Sequence, residues 1–245
     1  MIRGREQMGS SLLHIQDLSA WYDGERKVLS DLSMELREHE VVGLIGLNGA
    51  GKTTFIKVLS GLLDSFSTER AVFHGRSVGF RDSAFKMDRY TVFAEDASFQ
   101  YFTFREYLAY AAAAYRRKDL DRGVVDALVR GFHFEDHTDV LLKDLSTGNR
   151  KKVFLITAFA VRPGLLLLDE PVNGLDFQST EFLYQQIAGY RAYGTVLFSS
   201  HILESITMTC DRVHVLEEGS IRQTFEGDQI NAAKIREVLR YEKDV

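Results

Sequence analysis

The residues with the most specific chemical pattern are 46–54, which run Gly-Leu-Asn-Gly-Ala-Gly-Lys-Thr-Thr and fit the phosphate-binding pattern G-x-x-x-x-G-K-[ST]. The apolar run 41–45 precedes them, and apolar residues at helical spacing follow them, namely Phe55, Val58, Leu59 and Leu62. This order predicts a strand, a glycine-rich loop and a helix whose N-terminal amides bind phosphate. Lys52 would then reach the β- and γ-phosphates of a nucleotide, and the Thr53 hydroxyl would complete a Mg²⁺ site. A glycine-rich turn with a chance lysine is the alternative, but it does not account for the flanking strand and helix.

A pair of carboxylates and a histidine follow two further apolar runs. Four leucines, 165–168, lead into Asp169 and Glu170, and the run 195–200 leads into His201. Runs without polar alternation are typical of central parallel strands, whose carboxyl ends place ligands at one edge of the sheet. We therefore expect Asp169 to hold Mg²⁺ and Glu170 to polarise a water that attacks the terminal phosphate of ATP. Helix-start or turn acids are the alternative, which the four preceding leucines disfavour.

The stretch Leu-Ser-Thr-Gly-Asn at 145–149 heads a helix with apolar positions at Val153, Ile156 and Ala160. Ser146, Gly148 and the nearby amides would form an anion-binding helix N-terminus. Taken alone, this stretch predicts only an ordinary N-cap.

In this order the motifs resemble those of the ATP-binding-cassette (ABC) family over nearly the whole chain. Residues 46–54 match Walker A, 145–149 the signature motif, 165–170 Walker B and 173–176 the D-loop, and His201 matches the switch histidine. Tyr22 matches the aromatic residue that stacks on adenine. The resemblance implies that Lys52, Glu170 and His201 serve catalysis and that the following residues contact ATP: Tyr22, Asn48, Gly49, Ala50, Gly51, Lys52, Thr53, Thr54, Ser146, Gly148 and Asp176.

The family resemblance also implies partners. ATP would lie between the Walker A motif of one subunit and the signature motif of a second, so we expect a head-to-tail dimer, with a homodimer favoured and a heterodimer as the alternative. Separate transmembrane permease subunits would complete a transporter, and ATP and Mg²⁺ are the expected cofactors.

Two positions depart from the family pattern. Thr147 and Asn149 replace residues of the common LSGGQ signature, while Ser146 and Gly148 are kept. Glu95 stands where the family has the Q-loop glutamine. At about 6 Å a phosphate charge repels a carboxylate by roughly 3 kcal/mol, whereas a divalent cation attracts it about twice as strongly. We therefore interpret Glu95 as a water-mediated metal ligand or a coupling residue, with the sign of the net effect open.

The elements that must position these residues predict an α/β fold with a mostly parallel sheet. The family resemblance implies in addition a P-loop NTPase (RecA-like) core, an N-terminal antiparallel β subdomain and an inserted α-helical subdomain. We expect one ATPase domain over 1–245. Its core with the β subdomain would cover 11–95 and 161–228, the helical subdomain with the signature 96–160, and a C-terminal helix 229–245. Within these, the patterns predict two strands around a turn at 11–37, short strands at 71–75 and 90–94, a capping box at 103–106, helices at 104–116, 121–129 and 229–241, and a hairpin at 212–225.

Two side-chain groups have structural interpretations. The aromatic residues that crowd 99–115 are expected to form the core of the helical subdomain, because no basic groove accompanies them. The run Arg150, Lys151 and Lys152 is interpreted as the exposed side of a helix, with phosphate contact across a dimer interface as the alternative.

Composition excludes several functional classes. The 245 residues carry a net charge of −5 with a pI near 5.8, which gives no general attraction to nucleic acid or anionic lipid. The sequence has no apolar run of spanning length and no signal-peptide core at residues 1–5, and Cys210 is its single cysteine. We therefore expect a cytoplasmic protein, peripheral on the inner face of the cell membrane, that contacts the membrane only through a permease.

The leading hypothesis from the sequence is the ATP-hydrolysing subunit of an ABC transporter, of the exporter type by resemblance of Glu95, 103–108 and 199–204. The alternative is a soluble ABC ATPase that acts in assembly of a protein complex or an iron–sulphur cluster. A P-loop kinase or GTPase would account for neither 145–149 nor His201.

Overall fold

The computed structural model describes residues 10–24, 26–117 and 119–240. In chain order the strands are β1 (Ser11–Trp21), β2 (Lys27–Arg37), β3 (Val41–Ile45), β4 (Phe66–Ser67), β5 (Arg70–Phe73), β6 (Arg76–Ser77), β7 (Arg89–Val92), β8 (Leu165–Leu168), β9 (Thr195–Ser200), β10 (Arg212–Glu217) and β11 (Ser220–Glu226). The α-helices are α1 (Lys52–Leu59), α2 (Ser83–Asp88), α3 (Phe104–Ala114), α4 (Arg122–Gly131), α5 (Thr147–Val161), α6 (Phe177–Gly189), α7 (Leu203–Thr209) and α8 (Ala232–Arg240).

An antiparallel sheet is built around β1, which pairs with β2, β4 and β5. The register places Ile15 opposite Met34, and both side chains are buried while their strand neighbours alternate outward. Gly24 takes φ 76° in the connection, a left-handed value that glycine adopts without strain. The predicted pair of strands around a turn is confirmed.

The second sheet has six strands in the order β11-β10-β3-β9-β8-β7 among the described residues, and all neighbours from β10 to β7 are parallel. Side chains of β8 alternate between two cores: Leu165 and Leu167 pack with α1 and β1, whereas Leu166 and Leu168 pack with α5 and α6. Burial on both faces explains why this strand is a continuous apolar run. The order places the carboxyl ends of β3, β9 and β8 side by side.

The helical segment packs into a hydrophobic core that is continuous with one face of the parallel sheet. Thr103 caps α3, because its hydroxyl accepts from the Glu106 amide while the Glu106 carboxylate accepts from the Thr103 amide, so the predicted capping box is confirmed. The rings of Tyr107 and Phe154 meet edge to face with centroids 5.1 Å apart, which ties α3 to α5. Phe104 and Tyr107 are buried as predicted, but in a core shared with the sheet instead of one confined to the helical subdomain, and Tyr101 is 75% exposed.

Several predicted boundaries differ from the structure. Helix α1 ends at Leu59 because Gly61 turns left-handed at φ 72°, so Leu62 lies outside the helix and is exposed. Strand β7 covers 89–92 rather than 90–94, and α3 ends two residues earlier than predicted. The last helix begins at Ala232, after a 3₁₀ turn at 227–229, and its predicted end at Tyr241 lies outside the described residues. Over the part of the chain that the structure describes, no helix is both long and apolar enough to cross a membrane.

Candidate nucleotide-binding site

The predicted phosphate loop, residues 46–54, joins the end of β3 to the start of α1. Gly49 and Gly51 have φ values of 86° and 107°, which side chains with a Cβ rarely adopt. A Cβ on Gly46 would lie 2.3 Å from the Leu216 carbonyl oxygen, so the loop also needs glycine for close packing. The loop therefore presents its backbone amides and the N-terminus of α1 to one cavity, which is the arrangement that binds phosphate.

Lys52 lies at the base of this cavity. Its ammonium donates a 2.8 Å hydrogen bond to the Gly46 carbonyl oxygen and lies 3.5 Å from Glu170 Oε1. The side chain is buried, so its charge acts with little screening by water. Asn48, Gly49, Gly51, Thr53 and Thr54 line the same cavity with Lys52, and Ala50 is buried behind the loop.

The Asp169 carboxylate lies at the end of β8, where it is almost fully buried. Its Oδ1 accepts hydrogen bonds from the Thr53 hydroxyl at 3.1 Å and from the Ser199 hydroxyl at 2.7 Å. A carboxylate and a hydroxyl are oxygen donors of the kind that Mg²⁺ prefers, so the pair predicted to hold this ion fits it. Ser199 is not among the predicted site residues. A signal for it was available, since Leu168 pairs with Phe198 and the next residues on the two chains are Asp169 and Ser199.

Glu170 has an unusual backbone conformation for a residue with a side chain, φ 46°. Such a conformation costs about 1–3 kcal/mol and persists only when the surroundings hold it. The Ser199 hydroxyl accepts a 2.9 Å hydrogen bond from the Glu170 amide, and the Glu170 Oε2 lies 2.7 Å from His201 Nδ1. The carboxylate is thereby fixed between Lys52 and the half-exposed His201 ring.

Tyr22 follows β1 and lies against α1. Its hydroxyl is 3.3 Å from Thr54 Oγ1, and the Lys57 ammonium lies 5.5 Å from the ring centroid. The residue remains 44% exposed. An exposed ring beside the phosphate loop is suitably placed for stacking on a base, which stays a prediction.

The signature motif lies elsewhere on the molecule, at the N-terminus of α5. The Ser146 hydroxyl caps this helix by accepting from the Asn149 amide at 3.2 Å. A Cβ on Gly148 would lie 2.1 Å from the Gly174 carbonyl oxygen, so the signature packs directly on the D-loop of the same chain. None of Ser146, Gly148 and Asp176 lines the cavity that contains Lys52.

Asp176 ends the D-loop and caps α6 by accepting from the Ser179 amide at 2.8 Å. Burial acts to raise the pKa of this carboxyl, but the hydrogen bonds from Lys152 and Ser179 outweigh it and hold the pKa well below its usual range. The Lys152 ammonium lies 2.7 Å from Asp176 Oδ2. Asp176 is therefore an ionised residue that is already bound within its own subunit.

The interpretation of Lys151 and Lys152 as the exposed side of a helix is wrong. Both are only 4% exposed, because α5 runs between the helical segment and the D-loop and turns this face inward. The Lys151 ammonium donates to the carbonyl oxygens of Glu170 at 3.2 Å and of Asn173 at 2.6 Å. Burial lowers the pKa of Lys151, while the carboxylates of Asp169, Glu170 and Glu95 act in the opposite direction. Only Arg150 of the run is partly exposed.

Glu95 lies just beyond β7, in a second cavity that it lines with Thr147, Arg150, Lys151 and Phe154. This position is close enough for its charge to act on Lys151. Glu95 does not line the Lys52 cavity, and its predicted role towards a metal stays a prediction.

A phosphate loop after a central parallel strand, with Asp169 and Glu170 beside it, defines a P-loop nucleotide-binding protein of the α/β class. The family model described as ABC transporter matches residues 29–173. A putative ABC transporter ATP-binding protein of Bacillus subtilis (strain 168), AlbC, is 34% identical over 218 residues, or 87% of this chain and 91% of that protein. The Nod factor export ATP-binding protein I of Rhizobium meliloti (strain 1021) is 32% identical over 80% of this chain and 59% of that protein.

The fold is also similar to that of solved ABC ATP-binding subunits. A solved structure described as the ATP-binding subunit of an ABC transporter superposes with a TM-score of 0.81 at 28% identity, and the match covers 93% of this chain and 99% of that one. The chain belongs to the ABC transporter family, as a member of its ATP-binding subunits. The resemblance and the fold class stated from the sequence are both confirmed.

Proposed function

We propose that this chain hydrolyses ATP with Mg²⁺ and thereby drives transport through separately encoded membrane subunits. The observation that carries the hydrolysis is Glu170, whose two carboxylate oxygens lie 3.5 Å from Lys52 Nζ and 2.7 Å from His201 Nδ1. A carboxylate held between a phosphate-binding lysine and a histidine is positioned to accept a proton from an attacking water. The bound nucleotide and its Mg²⁺ would supply the phosphoanhydride bond and the charge that neutralises the phosphates.

The residues of this chain take separate roles in that proposal. Lys52 and the loop amides orient the phosphates, while Thr53 and Asp169 hold the metal ion. Glu170 acts as the general base, His201 orients its carboxylate, and Tyr22 stacks on the adenine.

We further propose that two subunits close head to tail on ATP. The separation of Ser146, Gly148 and Asp176 from the Lys52 cavity supports this, because a second subunit has to bring its signature motif to the γ-phosphate. The partner is expected to be a second copy of this chain, with a paralogue as the alternative. Loss of the γ-phosphate would remove the charge that bridges the subunits.

Export is the proposed direction, supported by the similarity to a relative named for Nod factor export. Residues 96–160 would act as the helical subdomain that contacts the permease, beside the core of 11–95 and 161–228 and the C-terminal helix within 229–245. The exposed Tyr101 and Tyr110 support a protein contact there, since exposed aromatic residues mark interaction surfaces. The protein would then sit in the cytoplasm at the inner face of the cell membrane.

Two measurements test this function. Phosphate release from ATP by the purified chain tests hydrolysis, and nucleotide binding without phosphate release would contradict it. Purification of the tagged chain in detergent tests transport. We expect a hydrophobic multi-span protein to co-purify, whereas a soluble assembly partner alone would overturn the transport proposal.

A further inference from the structure

Residues 170–176 connect Walker B to the D-loop and are called the catalytic loop below. Two consecutive buried lysines attach this loop to α5, the helix that begins with the signature motif. Lys151 donates to the main-chain carbonyl oxygens of Glu170 and Asn173, and Lys152 pairs with the Asp176 carboxylate. The three acceptors cover the whole loop from Walker B to the D-loop. Since Gly148 also packs on Gly174, the signature motif and this loop form one packed unit within the subunit.

The contact to Glu170 matters because its backbone is strained. The amide of Glu170 donates to the Ser199 hydroxyl, and its carbonyl oxygen accepts from the Lys151 ammonium and from the Asn173 amide. Side chains therefore contact both sides of the left-handed residue. A residue with this φ relaxes towards ordinary backbone conformations when such contacts are lost. Relaxation would rotate the Glu170 carboxylate away from His201 and Lys52.

The positive charge of Lys151 also offsets negative charge near Glu95. Lys151 and Glu95 line one cavity, and the carboxylates of Asp169, Glu170 and Glu95 are close enough to favour the charged form of the ammonium. Lys52 faces the phosphate loop, through its hydrogen bonds to the carbonyl oxygens of Gly46 and Leu47. Arg150 lines the Glu95 cavity as well, but its guanidinium donates to the carbonyl oxygens of Leu142 and Leu145. Lys151 is thus a cation on the Glu95 side of the carboxylate group, and removing it would increase the repulsion between Glu95 and its acidic neighbours.

We propose that Lys151 is a positioning residue for ATP hydrolysis: it holds the Glu170 main chain in its strained conformation and balances the Glu95 carboxylate. This inference rests on the proposed ATPase function. Glu95 acquires a role from it that differs from metal binding, because its charge is matched within the subunit by a residue on the signature helix. Movement of that helix would then act directly on the catalytic carboxylate.

The test compares four variants with the wild-type chain: Lys151→Gln, Glu95→Gln, the two combined, and Lys143→Gln as a matched control. Lys143 is an exposed lysine just before α5. For each, kcat and KM for ATP are measured, together with the affinity for a fluorescent ATP analogue and the unfolding temperature. We expect Lys151→Gln to lower kcat by about 10- to 100-fold, since it removes charge-assisted hydrogen bonds to a strained residue, with nucleotide affinity within about threefold of wild type.

The combined variant separates a positioning role from simple packing. Glu95→Gln alone supplies the reference value for the double-mutant cycle. In the Lys151→Gln background it should restore kcat by about fivefold or more relative to Lys151→Gln, because the unbalanced carboxylate is gone. Lys143→Gln should match wild type. A purely structural role would instead lower the unfolding temperature without any rescue by Glu95→Gln.

Each other outcome overturns the proposal. These are a kcat for Lys151→Gln within about twofold of wild type, a loss of kcat that Glu95→Gln leaves unchanged, or a parallel loss of nucleotide affinity. If Lys151→Gln does not fold, Lys151→Met takes its place, and failure of both to fold assigns Lys151 to structure alone. A wild-type chain without phosphate release contradicts the ATPase function itself, which the wild-type measurement shows separately.

Discussion

The two halves of the proposed nucleotide site are built on different kinds of support. The P-loop half, residues 46–54 with Asp169, Glu170 and His201, rests on the ends of three adjacent parallel strands. The signature half, residues 145–149 with the D-loop 173–176, rests on the N-terminus of α5 and on side-chain contacts to a loop. A sheet edge holds its groups through main-chain hydrogen bonds, whereas the signature half depends on a few buried side chains.

This difference indicates where each half can move. Strands β3, β8 and β9 are fully buried, so residues 46–54 and Asp169 should behave as one rigid body. Glu170 differs, because it begins the loop 170–176, which α5 also contacts. A shift of α5 should move the loop 170–176 with it, because Lys151 and Lys152 connect them. A helical segment that follows a membrane partner would therefore carry its effect to Glu170 through these lysines.

The largest expected effect tests the chemistry of the P-loop half. Glu170→Gln removes the proposed base but keeps the size of the side chain, so kcat should fall by about 10²- to 10⁴-fold while ATP affinity is retained. Single-turnover phosphate release and nucleotide binding measure the two quantities. A variant that keeps more than about one tenth of the wild-type rate would assign the proton transfer to another group.

The next effect tests the signature half alone. Ser146→Arg places a bulky cation at the α5 N-terminus and should abolish ATP-induced dimerisation, with hydrolysis reduced by about 10²-fold, while each subunit still binds ATP. Size-exclusion chromatography with and without ATP measures dimerisation. Ser146→Thr, which keeps the helix cap, is the control and should dimerise normally. Lys52→Ala, a change in the P-loop half, should likewise lose nucleotide-driven dimerisation together with hydrolysis.

Dimerisation and hydrolysis that both survive Ser146→Arg would contradict the shared-site proposal. They would also remove the distinction between the two halves, since the signature motif would then have no nucleotide to contact.

The P-loop half is the part that the sequence predicts well. Its motif is contiguous, and Lys52 and Thr53 need only a strand and a helix at known positions to reach one cavity. Asp169 and His201 were also predictable, because apolar runs mark buried parallel strands and their ends meet at one edge. Ser199 escaped prediction because a serine at a strand end carries no pattern of its own.

The signature half was predictable as a motif but not as a structure. Lys151 and Lys152 read as surface residues, since lysine is rarely buried, and only the path of α5 past the D-loop explains their burial. Their partners are 19, 22 and 24 positions away, and the two acceptors named for Lys151 are main-chain atoms that no sequence pattern marks. Contacts between a side chain and main-chain atoms distant in sequence are therefore the part of the site that could not be predicted.

A smaller effect tests the side-chain support within the P-loop half. Ser199→Ala removes the hydrogen bond to Asp169 and the acceptor for the Glu170 amide, so kcat should fall by about tenfold, with part of the loss recovered at higher Mg²⁺ concentration. Titration of ATPase activity with Mg²⁺ measures this. Ser200→Ala, the next residue on β9, should change the Mg²⁺ dependence little. An Mg²⁺ dependence unchanged in Ser199→Ala would show that Asp169 keeps its position without this hydroxyl.

The smallest effect concerns the edge of the P-loop half, where Tyr22 lies beyond the end of β1 and contacts the side chains of Thr54 and Lys57 on α1. Loss of an aromatic stacking partner costs about 0.5–1.5 kcal/mol, so Tyr22→Ala should raise KM for ATP by about 2- to 10-fold with kcat nearly unchanged. Tyr22→Phe keeps the ring and loses only the hydroxyl contact to Thr54, so it should match wild type. If Tyr22→Phe weakened ATP binding as much as Tyr22→Ala, the contact of the hydroxyl with α1 would be the important feature. Tyr22 would then belong to the rigid support of the phosphate loop, and the base of the nucleotide would have to find its stacking partner elsewhere on the chain.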